Sequence, residues 1–91
     1  MSVKITGRAL CTANVFELRC RGCGNKIYKP SRYTRATVAI DGSVFSAPIC
    51  RVCDDKEDAE LITDMRAEAA RYAATTADPG DFTKAMAREE A

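Results

Sequence analysis

Cys20-Arg21-Gly22-Cys23-Gly24 and Cys50-Arg51-Val52-Cys53-Asp54-Asp55 are the two stretches on which the reading of this chain turns. Two cysteines three positions apart on a tight turn can both bring sulfur to roughly 2.3 Å from one ion. A second such pair, carried back by the chain between them, completes a tetrahedron of four thiolates, the donor set of Zn²⁺. The expected metal ligands are therefore Cys20, Cys23, Cys50 and Cys53. Gly22 and Gly24 suit a turn that folds its N–H groups toward sulfur, because glycine tolerates open or positive φ.

Working outward, the segment between the pairs reads as a β-hairpin. Residues 36–40 and 43–47 flank Asp41-Gly42, a preferred two-residue type I′ turn. That turn sets Ile40 opposite Ser43, Val38 opposite Phe45 and Ala36 opposite Ala47. One face is then apolar (Ala36, Val38, Ile40, Phe45, Ala47) and needs a partner, whereas Thr37, Ala39, Val44 and Ser46 make a smaller mixed face. Residues 26–35, punctuated by Pro30, read as an exposed connection.

The partner is expected after the second pair. Leu61, Ile62, Met65, Ala69, Tyr72 and Ala73 recur at helical spacing and form one apolar stripe. Asp54, Asp55, Glu57, Asp58 and Glu60 crowd its start, where carboxylates satisfy free N–H groups and oppose the macrodipole. Asp54 with Glu57 resembles a capping box. The spacing predicts a helix over 55–74, stopped by Asp78-Pro79-Gly80, and a short second helix over 81–90. Before the first pair, residues 3–6 and 15–19 read as strands, and the pattern assigns no form to 7–14. The expected organisation is a zinc-binding α+β domain over 1–76 and a C-terminal turn with a short helical tail over 77–91.

Knuckle, hairpin, then a cysteine pair at a helix start: over roughly residues 18–74 the chain resembles the treble-clef zinc fingers, and in part a zinc ribbon. The resemblance rests on Cys20-x-x-Cys23-Gly24, the Asp41-Gly42 hairpin and Cys50-x-x-Cys53 before Asp54 and Asp55. It implies a small module of knuckle, hairpin and long C-terminal helix, with Cys20, Cys23, Cys50 and Cys53 as ligands and the last two on the first helical turn. It is not tied to one function. A rubredoxin-type iron site also uses four thiolates, but that likeness would expect a glycine after the second pair. A thioredoxin-like redox motif expects one CxxC in a βαβ setting.

Composition narrows the class. At 91 residues the chain makes a thin core, a deficit that metal binding can offset, since its free energy is folding free energy. No apolar run approaches membrane-spanning length. The first residues alternate like a strand and lack the apolar region of a secretory signal. A cytoplasmic, reducing setting is expected, in which CxxC pairs mean metal rather than disulfides. Four thiolates leave a tetrahedral ion no open position for water, and the chain contains no histidine, so an enzyme is not expected. Cys11 is left over and reads as a buried small residue.

Charge is unevenly placed. Residues 1–40 hold Lys4, Arg8, Arg19, Arg21, Lys26, Lys29, Arg32 and Arg35 against Glu17 alone, while the remainder is acidic. Between Arg19 and Arg35 the cations interleave with Tyr28 and Tyr33, as phosphate contacts beside base-stacking rings would. Lys26, Tyr28, Lys29, Arg32, Tyr33 and Arg35 are thus the expected contact residues for nucleic acid, in a transcription-linked role. Arg19, Arg21, Lys26 and Arg51 are equally candidates to compensate the charge of a metal–thiolate centre. The alternative is a zinc-stabilised protein–protein adaptor. It would dock through an acidic helix face (Glu57, Asp58, Glu60, Asp64, Glu68) or through the tail. No small-molecule substrate and no membrane is expected as a partner.

Overall fold

The computed structural model describes residues 2–90. In chain order the elements are β1 (Val3–Thr12), β2 (Glu17–Arg19), β3 (Lys26–Tyr28), β4 (Arg32–Ile40), β5 (Ser43–Ile49), α1 (Arg51–Asp54), α2 (Asp58–Thr75) and α3 (Asp81–Glu90). The molecule is an α+β fold. Met1 and Ala91, at the outer ends of the two predicted segments, lie outside the described residues.

The hairpin forms as its turn dictates. Asp41 and Gly42 take φ of 49° and 89°, as type I′ geometry requires, and Ile40 pairs with Ser43, Val38 with Phe45 and Ala36 with Ala47. Its apolar face is buried: Ala36, Val38, Ile40 and Ala47 are core residues, with Phe45 packed on them. The strands run further than expected, so that Thr34 faces Ile49 and both are buried. Residues 26–35 are accordingly not one exposed connection. Lys26–Tyr28 forms β3 against β2, and β4 already begins at Arg32. Lys26, Tyr28, Arg32 and Arg35, all exposed, surround and conceal the inward ones, Ile27 and Thr34.

Residues 7–14, unassigned from the pattern, mostly continue β1, which pairs antiparallel with β4 on the edge opposite β5. The register slips between Ile5 and Gly7. Side chains alternate along a strand, so without this bulge Arg8 would share the outer face with Lys4. With it, Arg8 lies opposite the buried Ala36 and points toward the helices. Its guanidinium donates to the backbone carbonyls of Asp54 (2.6 Å) and Lys56 (3.0 Å) and to the carboxylates of Asp54 (3.2 Å) and Asp58 (2.6 Å). Burial alone would lower the Arg8 pKa, but Asp58 and Asp54 hold it above its ordinary value.

That clamp explains where the helix prediction fails. The expected helix over 55–74 is interrupted: a short α1, capped by Cys50 and containing Cys53, comes first, and α2 starts only at Asp58. Asp54 and Glu57 form no capping box, because the Asp54 carboxylate faces Arg8 and the N-cap Glu57 makes no side-chain cap bond. Leu61, Met65 and Ala69 of the predicted stripe are buried in the core they share with the strands. Glu68, expected on the outer acidic face, is buried with them. The helix over 81–90 forms as predicted, folding back on α2 with Ala85 and Met86 buried and Phe82 edge-on to Phe45 at 5.9 Å. The long helix is therefore not the C-terminal one.

Candidate metal centre

The first cysteine pair sits in the turn joining β2 to β3. Arg19 pairs with Lys26, and the turn closes with Cys20 N–H donating to the Asn25 carbonyl at 2.8 Å and Gly24 N–H to the Cys20 carbonyl at 2.9 Å. Gly24 has φ of 82°, a left-handed conformation that disfavours a β-carbon. Gly22 is required for a different reason: a β-carbon there would lie 2.9 Å from the Cys53 sulfur. The second pair follows β5 directly. Cys50 is the extended N-cap of α1 and Cys53 lies within that helix. The two loops are joined by Arg21 N–H donating to the Pro48 carbonyl at 2.9 Å.

This brings all four predicted ligands together, their Sγ atoms lying within 4.8 Å of one another. Cys20 and Cys53 sulfurs are 3.6 Å apart, and those of Cys23 and Cys50 3.7 Å. A sulfur tetrahedron with metal arms of roughly 2.3 Å has edges of about 3.8 Å, so the spacing fits a four-thiolate ion. The distances are far from a disulfide bond of about 2.05 Å. Cys20 and Cys53 are 0% and 1% exposed, while Cys50 is half-buried and Cys23 is open to solvent. The four sulfurs can hold a metal ion, with two ligands anchored in the core and two at the rim.

The electrostatics favour one thiolate and resist the rest. Burial pushes the Cys20 thiol up, but N–H groups of Cys50, Cys23 and Gly22 directed at its sulfur overcome this and lower its pKa. The Gly22 and Cys50 amides stand 3.4 and 3.2 Å from it. Cys53 is raised by burial and by its charged neighbour Cys20. Cys23, although at the rim, is also raised, by partial desolvation of its sulfur and by Cys20, despite a bond from the Asn25 amide. A divalent ion displaces the protons, and its own charge offsets the repulsion among the resulting thiolates.

Metal affinity should therefore rise with pH across the neutral range. Cys23 and Cys53, with raised pKa, hold their protons in the metal-free fold, so each displaced proton is expected to steepen the affinity by about tenfold per pH unit. Chelator competition at several pH values between mildly acidic and mildly basic measures this. An affinity independent of pH would contradict ligation by these thiols.

The remaining predicted residues divide. Lys26 lies 3.7 Å from Glu17 and Tyr33 packs on the core, whereas Tyr28, Lys29, Arg32 and Arg35 are exposed. Of the candidate counter-charges, Arg19 is taken by Glu68 at 2.7 Å, and Arg51 lies 3.9 Å from Asp54. Arg21 donates to the Arg19 carbonyl at 2.6 Å, and its pKa is lowered by burial and by Arg19. Cys11 is half-buried on β1 opposite Tyr33, rather than interior, and is not part of the cluster.

Two residues whose roles the sequence pattern does not announce support the centre: Arg8, which fastens α1, and Glu68, whose carboxylate leaves no room for a side chain at Gly24. A signal for Glu68 does exist, since 61, 65, 68 and 72 are successive positions of one helical stripe. No protein-family model matches the chain, and no curated protein or solved structure matches it either.

Proposed function

We propose that this chain is a Zn²⁺-stabilised, non-catalytic module of treble-clef type that binds nucleic acid, in a transcription-linked role, beside its four-cysteine centre. Support for the class comes from a knuckle on one hairpin, a second hairpin, and a cysteine pair at a helix start. It departs from the simple pattern in the break between α1 and α2. A four-thiolate ion has no open coordination position and there is no histidine, which favours binding over catalysis. Free thiols suit a reducing, cytoplasmic setting. No described helix is long and apolar enough to cross a membrane.

The observation that carries the nucleic-acid reading is how the charges are matched. Among the described residues Lys29, Arg32 and Arg35 have no carboxylate within ion-pair distance, while Asp58 and Asp64 are held by Arg8 and Lys56, and Glu68 by Arg19 and Arg71. The acidic face that an adaptor would use is largely neutralised from within, and α3 is packed rather than extended. The cations remain available.

Binding to short nucleic acids should weaken steeply with salt. Replacing Lys29, Arg32 and Arg35 by alanine should lower the log–log slope by about 0.7–0.9 for each cation that had neutralised a phosphate. Unchanged affinity and slope in the triple variant would refute phosphate binding here. Loss of a protein partner on reversing Glu57 and Glu60 would favour the adaptor.

A further inference from the structure

Beyond the cations, one end of the molecule carries an aromatic pair that the fold does not use. Phe16 is 80% exposed and Tyr28 49%, with ring centroids 6.3 Å apart at 77°. Single exposed apolar residues are ordinary, but these two are contiguous, and exposed Val15 adjoins Phe16 in the chain. Backbone bonds hold the arrangement in place. Glu17 pairs with Tyr28, Lys29 N–H donates to the Phe16 carbonyl at 3.2 Å and Ser31 N–H to the Tyr28 carbonyl at 2.7 Å. Ala13 N–H reaches the Ser31 carbonyl at 2.9 Å, and Arg32 pairs with Thr12 at the end of β1. The rings therefore sit close to Lys29 and Arg32: Phe16 just before β2, Tyr28 at the end of β3, Lys29 in the turn that follows and Arg32 at the start of β4. The acid in this region, Glu17, faces Lys26.

We infer that Phe16 and Tyr28 form a stacking platform for single-stranded nucleic acid, with Lys29 and Arg32 taking the adjoining phosphates. This rests on the nucleic-acid reading above and narrows it. Rings presented to solvent offer π-faces to bases, and only unpaired, unstacked bases have free faces to offer in return. In a duplex those faces are covered, so it would meet the cations alone. Phe16 gains almost nothing from burial where it stands, so its truncation should leave the fold intact.

The test uses the zinc-loaded full chain with fluorescein-labelled oligothymidylate and oligouridylate, and the same oligothymidylate annealed to oligoadenylate. Phe16→Ala and Tyr28→Ala should each weaken single-strand binding about 5- to 150-fold, the loss of one base–aromatic stack. The salt slope should not change, because no charge is removed. Phe16→Trp should restore affinity and, in a chain with no other tryptophan, report stacking by quenching of its fluorescence. The duplex should bind more weakly than either single strand. If the alanine variants bind single strands as tightly as the parent, or the duplex binds equally well, the platform is wrong. Salt-dependent binding sensitive to Lys29 and Arg32 would then still uphold the nucleic-acid reading. Binding to none of the three probes would overturn both, the result a protein-docking patch would give.

Discussion

Replacing Cys20 or Cys53 by serine is expected to abolish stable folding rather than merely to weaken metal binding. Both sulfurs are fully buried, and each ties the knuckle to the helical segment that follows β5. Metal binding in small zinc domains contributes on the order of 10–16 kcal/mol of apparent free energy at neutral pH. A chain of this length has a net stability of roughly 5–14 kcal/mol, so losing a ligand from the core is comparable to losing the whole margin. Serine would also leave a buried hydroxyl where a thiolate received the Gly22 and Cys50 amides. Cys23, at the solvent edge, should be the most tolerant of the four. Amide dispersion in NMR spectra, with native mass spectrometry for metal content, reads both effects, and a chelator should reproduce them in the unaltered chain. A folded, metal-free Cys20→Ser protein would show that the core stands without an ion.

The second large effect is expected at Glu68. Its side chain is 10% exposed, and it accepts from Arg19, itself 17% exposed, at 2.7 Å. Arg71 adds a contact of 2.8 Å from a solvent-exposed position. Arg19 also lies over the Tyr72 ring, 3.6 Å from its centroid, and donates to the Thr83 hydroxyl at 3.3 Å. One guanidinium thus joins β2, α2 and α3. Glu68→Ala strands that charge in the interior, a loss of about 3–5 kcal/mol. Because the Glu68 carboxylate packs against Gly24, the knuckle should loosen and metal affinity should fall as well. Replacing both partners, Arg19→Met with Glu68→Leu, should recover much of the loss, since two apolar groups leave no unpaired charge. Urea unfolding of the two single variants and the double gives the coupling. A Glu68→Ala cost below about 1 kcal/mol would place this pair with solvated surface bridges.

The contrast between Glu68 and the cysteines shows what kind of information a linear pattern holds. Cysteine spacing follows the tetrahedral geometry a metal ion would need, and the type I′ turn follows local backbone sterics, so both could be read without knowing what surrounds them. The hairpin register and the helix over 81–90 followed for the same reason. The strands hidden in residues 26–35 did not, because most of that stretch is polar and exposed and only burial distinguishes Ile27 and Thr34 from loop residues. Phe16, too, had nothing to mark it as unpartnered until the core was seen to close without it.

The chain's own order of residues determined the four-sulfur site, the hairpin that returns the second pair to the first, and the helical stripe that covers it. These depend on neighbours a few positions apart and on the donor geometry that a single ion would require. The three-dimensional structure alone decided which charges are matched. A one-residue bulge in β1 turns Arg8 inward to hold the segment 46–50 positions away, and Glu68 meets Arg19 across 49 positions. Such pairings arise only when distant segments are packed, because a Coulombic partner is chosen by distance in space and by exclusion of water.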